Sequence, residues 1–235
     1  MATATRITGK ATTPAAATTP APPGAKRPAL SDRVNAWLSA HKQVTSWISA
    51  IVVVGALLFV WNLSAKNRSE EAASRSLQGA RFAFENKNLP LAASELAKVI
   101  ADFDGTNAAE EARLLLGNVR LSQGQPNQAL TVLQDYAGGA GKAYRAQAYS
   151  LLAAAYENLG RFREAGEAYE NGSAAGRLGF QKAQLLADAG RAWTAAGDTA
   201  KAVSDYRRIV KDFGKEAAAT EAKVRLAELT KGTVS

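Results

Sequence analysis

AYSLLAAAYENLGRFREA, residues 148–165, places large and small side chains in an order that decides the fold. Tyr149, Leu152 and Tyr156 fall on one helical stripe, with Ala153 among them. Gly160 then stops the helix, because a C-terminal cap commonly needs the left-handed backbone that glycine adopts without a steric penalty. Ala165 and Tyr169 mark the helix that follows. The stretch predicts two helices paired through a tight turn.

The same arrangement recurs on both sides. Ala92, Ala129, Ala165 and Ala202 stand a few residues into successive second helices, separated by 37, 36 and 37 residues. Five positions before each comes the turn, filled by Lys87, Gly124, Gly160 and Gly197. Gly190, Trp193 and Tyr206 complete a fourth unit, and Leu116 and Gly117 belong to a second, in which Arg120 replaces the aromatic residue. The first unit is the weakest, with Ala80 and Ala92 in place but Ala83 at the aromatic position. Asp102-Phe103 and Glu111-Ala112-Arg113 return as Asp212-Phe213 and Glu221-Ala222-Lys223, so residues 216–230 read as the first helix of an uncompleted unit. This pattern resembles the tetratricopeptide repeat. The resemblance implies an all-α solenoid of about four helical hairpins and a capping helix over residues 66–230.

Small residues at Ala165 and Gly190 are expected where helices touch, so Ala165→Leu should overfill the core. Residues 138–142, Gly-Gly-Ala-Gly-Lys, read as a flexible link between the second and third units, in which Ala140→Leu should be silent. They are not a phosphate-binding loop: the first glycine would fall at Tyr136, and Ala143 stands where a hydroxyl is needed.

Ahead of the repeats lies a different kind of segment. Residues 43–65 contain 23 residues without a charge; as a helix they reach roughly 34 Å, enough to cross a hydrocarbon core of about 30 Å. Trp47 and Trp61 lie toward the ends and Lys42 and Lys66 bracket the run, as suits a membrane-spanning helix in contact with lipid. Leu63-Ser64-Ala65 lacks the small residue that opens a cleavage site, so the segment reads as a retained anchor. Residues 30–42 form an amphipathic lead-in, with Ser31 as N-cap and Val34, Trp37, Leu38 and His41 on one face. Residues 1–29 hold five of the seven prolines and few large apolar side chains, and read as a disordered Ala/Thr/Pro-rich tail. A short tail, 231–235, closes the chain.

The net charge of +8 is unevenly placed. Residues 1–65 carry six Lys and Arg against Asp32, whereas residues 66–235 carry 23 basic and 20 acidic side chains. Such a balanced surface lacks the concentrated cationic footprint that nucleic acid requires. No cysteine is present and the single histidine is His41, which excludes thiol chemistry and leaves the repeats without a histidine for metal ligation or a triad. The sequence thus predicts no catalytic, cofactor-binding or metal-binding residues, no cofactor, no small-molecule substrate and no enzyme activity.

A solenoid presents a groove along its first helices. Repeat spacing nominates Leu114, Asn118 and Leu121, then Gln147, Ser150 and Glu157, then Gln184 and Arg191 as candidate protein-binding residues. The paired lysines and asparagines that clamp a peptide carboxylate in some proteins of this kind are missing.

Taken together, tail, lead-in, single anchor and repeats resemble the bacterial ancillary subunit family of the SecYEG translocon. The resemblance implies a single-pass protein of the bacterial inner membrane with a cytoplasmic N-terminus and a periplasmic repeat domain. Its implied role is a translocon-associated accessory or chaperone-like adaptor, with translocon subunits, a periplasmic chaperone or client chains as partners. The alternative is a scaffold for another envelope complex, in division or outer-membrane assembly. Charge alone does not set the orientation: Lys26, Arg27, Arg33 and Lys42 on one side of the anchor balance Lys66, Arg68, Arg75 and Arg81 on the other.

Overall fold

The structure, a computed structural model, describes residues 30–40 and 42–230; the tail at 1–29, His41 and the closing 231–235 lie outside the described residues. Every regular element among the described residues is an α-helix. The chain divides into two compact units, meeting between Leu58 and Phe59.

The first unit holds α1 (Leu30–Ala40) and the opening part of α2 (Lys42–Glu85). Leu30, Val34 and Trp37 recur at helical spacing on α1 and are all exposed. The most apolar window of α2 has a mean hydropathy of 2.2 and none of it is buried, so this helix is long and apolar enough to cross a membrane. The 43–65 run and the first helix of the repeats are one continuous helix. Ala65-Lys66-Asn67-Arg68 contains no glycine or proline to interrupt it, and the Arg68 guanidinium donates to the Ser64 carbonyl.

In the second unit α2 pairs with α3 (Leu89–Asp102), α4 (Asn107–Ser122) with α5 (Pro126–Gly139), α6 (Arg145–Asn158) with α7 (Phe162–Ala175), and α8 (Gly179–Ala195) with α9 (Thr199–Asp212). The closing helix α10 (Ala218–Leu229) packs on α8 and α9. Each turn within a pair is built alike. The residue after the left-handed position donates its N–H five residues back: Asn88 to Ala83, Gln125 to Arg120, Arg161 to Tyr156 and Asp198 to Trp193, each at 2.9 Å. These are the bonds of a helix end closed by a left-handed residue.

Gly124, Gly160 and Gly197 have φ of 68°, 70° and 78°, and Lys87 is forced to 59° at the equivalent place. An L residue pays about 1–2 kcal/mol there, against roughly 0.5–1 kcal/mol of extra chain entropy lost by glycine. Lys87→Gly should therefore stabilise the repeat domain by about 0.5–1 kcal/mol, measurable as a higher denaturant midpoint with an unchanged slope.

Small residues set the helix spacing. Ala92, Ala129, Ala165 and Ala202 are each fully buried. A Cβ on Gly117 would stand 2.8 Å from the Leu133 side chain, one on Gly166 2.6 Å from the Trp193 ring and one on Gly190 2.7 Å from the Tyr206 ring. Large side chains thus rest directly on glycine backbone across each of these contacts.

Buried side chains form two clusters. One joins α2, α3 and α4 through Ala73, Leu77, Ala80, Leu96, Leu116 and Val119; the other runs from Leu114 through α5–α10. Val132 packs against both. The first pair is also tied to α4 by charge: Glu70 on α2 accepts from the backbone N–H of Asn107 and Ala108 at 2.8 and 3.0 Å, where a helix N-terminus favours an anion.

One expectation is overturned. Residues 138–142 are not simply a loose link: α5 continues through Gly139, and Ala140 is fully buried in the larger cluster, its carbonyl accepting from the Arg145 guanidinium at 2.8 and 3.1 Å. Ala140→Leu should therefore cost roughly 1–3 kcal/mol rather than being silent. Gly139→Leu at the exposed neighbour, with nothing within 4 Å of a new Cβ, should be near neutral in the same thermal melt.

Candidate functional site

The first helices of successive pairs, with α10 at the end, line two adjoining cavities that share Gln147. The polar one, about 530 Å³, lies among Arg81 and Glu85 of α2, Glu111, Leu114 and Asn118 of α4, and Tyr144. Arg81 and Glu111 form an ion pair across it. The second, about 410 Å³, lies among Gln147 and Ser150 of α6, Phe180, Gln184 and Asp188 of α8, and Glu216 before α10.

The residues nominated from repeat spacing fall in different places. Asn118, Gln147, Ser150 and Gln184 line the cavities. Leu114 does too, but at 3% exposure it belongs to the core and can offer a partner only a floor. Leu121 packs against the core beyond the cavities. Glu157 is half-buried and accepts a bond from the Tyr169 hydroxyl at 2.9 Å, and burial first, then the Glu157 charge, pushes that phenol up, so it stays a donor at neutral pH. Arg191 is exposed and ion-paired with Asp188; it borders a further cavity with Tyr206 and Arg225. The nominated residues thus divide between lining positions and internal braces.

Phe180 and Glu216 were not foreseen. Both lie at junctions between helix pairs, Phe180 in the first turn of α8 and Glu216 in the bend before α10, where repeat spacing carries no information. The available signal was the run Leu178-Gly179-Phe180, two large apolar side chains around a glycine, which are 55% and 60% exposed.

Among the described residues no group of three or more His, Cys, Asp or Glu is arranged to hold a metal ion. What the surface offers is a stripe of amides, carboxylates and apolar side chains across stacked hairpins, suited to contact with another polypeptide.

Repeated helical hairpins bearing such a surface define a helical-repeat interaction scaffold. The profile of the tetratricopeptide repeat-like domain matches residues 60–186, more than half of the chain, and the protein belongs to that family. Among solved structures it is similar to a structure of nearly identical TPR-like repeats from Podosopora anserina, at 18% identity and a TM-score of 0.55, covering 69% of this chain and 87% of that one. It is also similar to a tetratricopeptide repeat protein from Parabacteroides merdae, at 15% identity and a TM-score of 0.56, covering 68% of this chain and 61% of that one. These likenesses concern the fold. No curated protein matches the sequence, and no enzymatic family is indicated.

Proposed function

We propose that the protein is a membrane-tethered interaction module of the bacterial inner membrane, holding partner or client polypeptides on the periplasmic side near the translocon. The observation that carries this reading is the pairing, in one chain, of a first-helix surface with two adjoining cavities and a helix apolar enough to span a bilayer. Tethering raises the effective concentration of a surface toward partners in the same membrane, so individually weak contacts suffice. The resemblance to the translocon's ancillary subunits supplies the compartment and the partner class. In this reading residues 43–65 cross the bilayer and α1 lies in the headgroup layer with Leu30, Val34 and Trp37 toward the acyl chains.

Photo-crosslinkers at Asn118 and Gln184 in native membranes test the partner: translocon subunits or a periplasmic chaperone are expected, and exclusive capture of division or outer-membrane assembly proteins would replace the reading with an envelope scaffold. Orientation is tested by Thr5→Cys and Val234→Cys, each the sole thiol of its chain. A membrane-impermeant reagent on spheroplasts should label position 234 and spare position 5, with lysed membranes confirming that both thiols react; the opposite pattern refutes a periplasmic repeat domain.

A further inference from the structure

We infer that the cavity between α6, α8 and α10 binds an extended polypeptide segment in which a bulky apolar side chain stands next to a lysine or arginine. This rests on the reading of the first-helix surface as a polypeptide-binding site and assigns the chemistry that this part of it selects. The floor is apolar: Leu185, Ala146 and Ala218 are buried, and the Phe180 ring at the margin is left 60% exposed. At about 410 Å³ the space is near the lower end of ligand cavities, about 300–1,000 Å³, and accommodates one or two large side chains.

The charged lining has one sign. Asp188 and Glu216 are acidic, and no lysine or arginine lines the cavity. Arg191 partly offsets Asp188, whereas Glu216 joins none of the ion pairs found among the described residues. Its Oε1 lies 2.7 Å from where a Cβ on Gly179 would stand, so the glycine leaves room for this carboxylate beside the first turn of α8. The adjoining polar cavity differs in this respect, since Arg81 lines it together with Glu85 and Glu111. A cation entering beside Phe180 meets both the carboxylates and an exposed aromatic ring.

Gln147, Gln181 and Gln184 complete the lining. Gln184 already donates one N–H to Asp188 and the Gln181 carbonyl already accepts from the Arg177 N–H, but each amide keeps a further donor and a further lone pair, the combination that matches the backbone of an extended chain whatever its side chains are. An apolar floor, an anionic rim and amides between them therefore specify a polypeptide with adjacent apolar and cationic side chains, and disfavour phosphate-bearing ligands.

The test uses the full chain in nanodiscs of uncharged phosphatidylcholine, so that cationic peptides are not drawn to the lipid, with empty nanodiscs as baseline. Three labelled peptides are titrated by fluorescence anisotropy: one with Leu-Phe-Lys at its centre, one with Leu-Phe-Glu and one with Ser-Ser-Lys. The Leu-Phe-Lys peptide should bind about tenfold tighter than Leu-Phe-Glu at low salt, and the gap should narrow as salt screens the carboxylates. Ser-Ser-Lys should bind weakest of the lysine peptides. Glu216→Lys should abolish or invert the Lys-over-Glu preference, Phe180→Ala should weaken both Leu-Phe peptides, and Glu167→Lys, on exposed α7 surface, should change neither.

Equal affinity for the Lys and Glu peptides, a preference that survives Glu216→Lys, or no binding of any peptide would overturn the inference. Crosslinks from Asn118, in the neighbouring cavity, would then still report whether the wider surface binds polypeptides.

Discussion

Trp193→Ala is expected to remove roughly 3–5 kcal/mol from the stability of the repeat domain, the usual loss for deleting a fully buried large aromatic side chain. Trp193 is 1% exposed and lies directly on the backbone of Gly166, so the neighbouring helix cannot move in to fill the space without losing its other contacts. Its indole N–H donates to Glu170 Oε1 at 2.7 Å, and the Lys201 ammonium lies 3.7 Å from the ring centroid. Removing the ring strips both groups of that partner at once. Stability in stacked repeats is carried by contacts between neighbours, so the loss should appear as early unfolding of α8, α9 and α10, ahead of the rest. Denaturant titration followed by hydrogen exchange would show this. Trp47→Ala, at a side chain 73% exposed, should leave the repeat domain's midpoint where it was. A loss below about 1 kcal/mol at position 193 would mean that the indole is not embedded as described.

The second large effect depends on pH. Asp205 on α9 is only 4% exposed, and its Oδ2 has no hydrogen-bond partner. Burial, followed by the charge of Glu170 on α7, pushes its pKa up to about 7, against the opposing pull of Arg208 and Lys201. In the unfolded chain the group returns to its ordinary value of 3.8. Between those two values the folded protein holds a proton that the unfolded chain has released, so raising the pH favours unfolding. Stability should fall by up to a few kcal/mol from about pH 4 to about pH 7 on account of this residue, and level off above that. Asp205→Asn removes the titration, flattens the profile, and gains most above pH 7. Urea midpoints at pH 5 and pH 8 decide the matter: a wild-type protein no less stable at pH 8, relative to Asp205→Asn, would show that the carboxyl is already ionised at the lower pH.

These energetic features were only partly legible in the residues. The turns were, since three glycines at fixed spacing demanded left-handed backbone, and the same spacing put Lys87 at the remaining turn, where the structure shows the same conformation despite its side chain. Ala92, Ala129, Ala165 and Ala202 were equally readable because a repeat must bring small residues to the same contact each time. Ala140 was not. Five small residues in a row, 137–141, suggest a loop locally, whereas burial depends on the approach of the next helix pair, a fact of tertiary packing. The same limit governs the candidate surface. Gln147 and Gln184 lie on helix faces that periodicity can count, but Phe180 and Glu216 come from junctions whose course is set by how pairs stack. The unpartnered oxygen of Asp205 was likewise hidden, because an aspartate three residues after Ala202 reads as surface until the neighbouring α7 supplies Glu170.

The division of the buried side chains into two clusters has a mechanical side. α4 sends Leu116 and Val119 into one cluster and Leu114 into the other. Tension applied between α3 and α10 must therefore pass through α4 in series, and the repeats would behave as two springs joined at that helix instead of a single rod. A short extension would be taken up by slippage about α4 and Val132 while each cluster kept its own contacts. In a single-molecule pulling trace, that compliance would appear before either cluster ruptured.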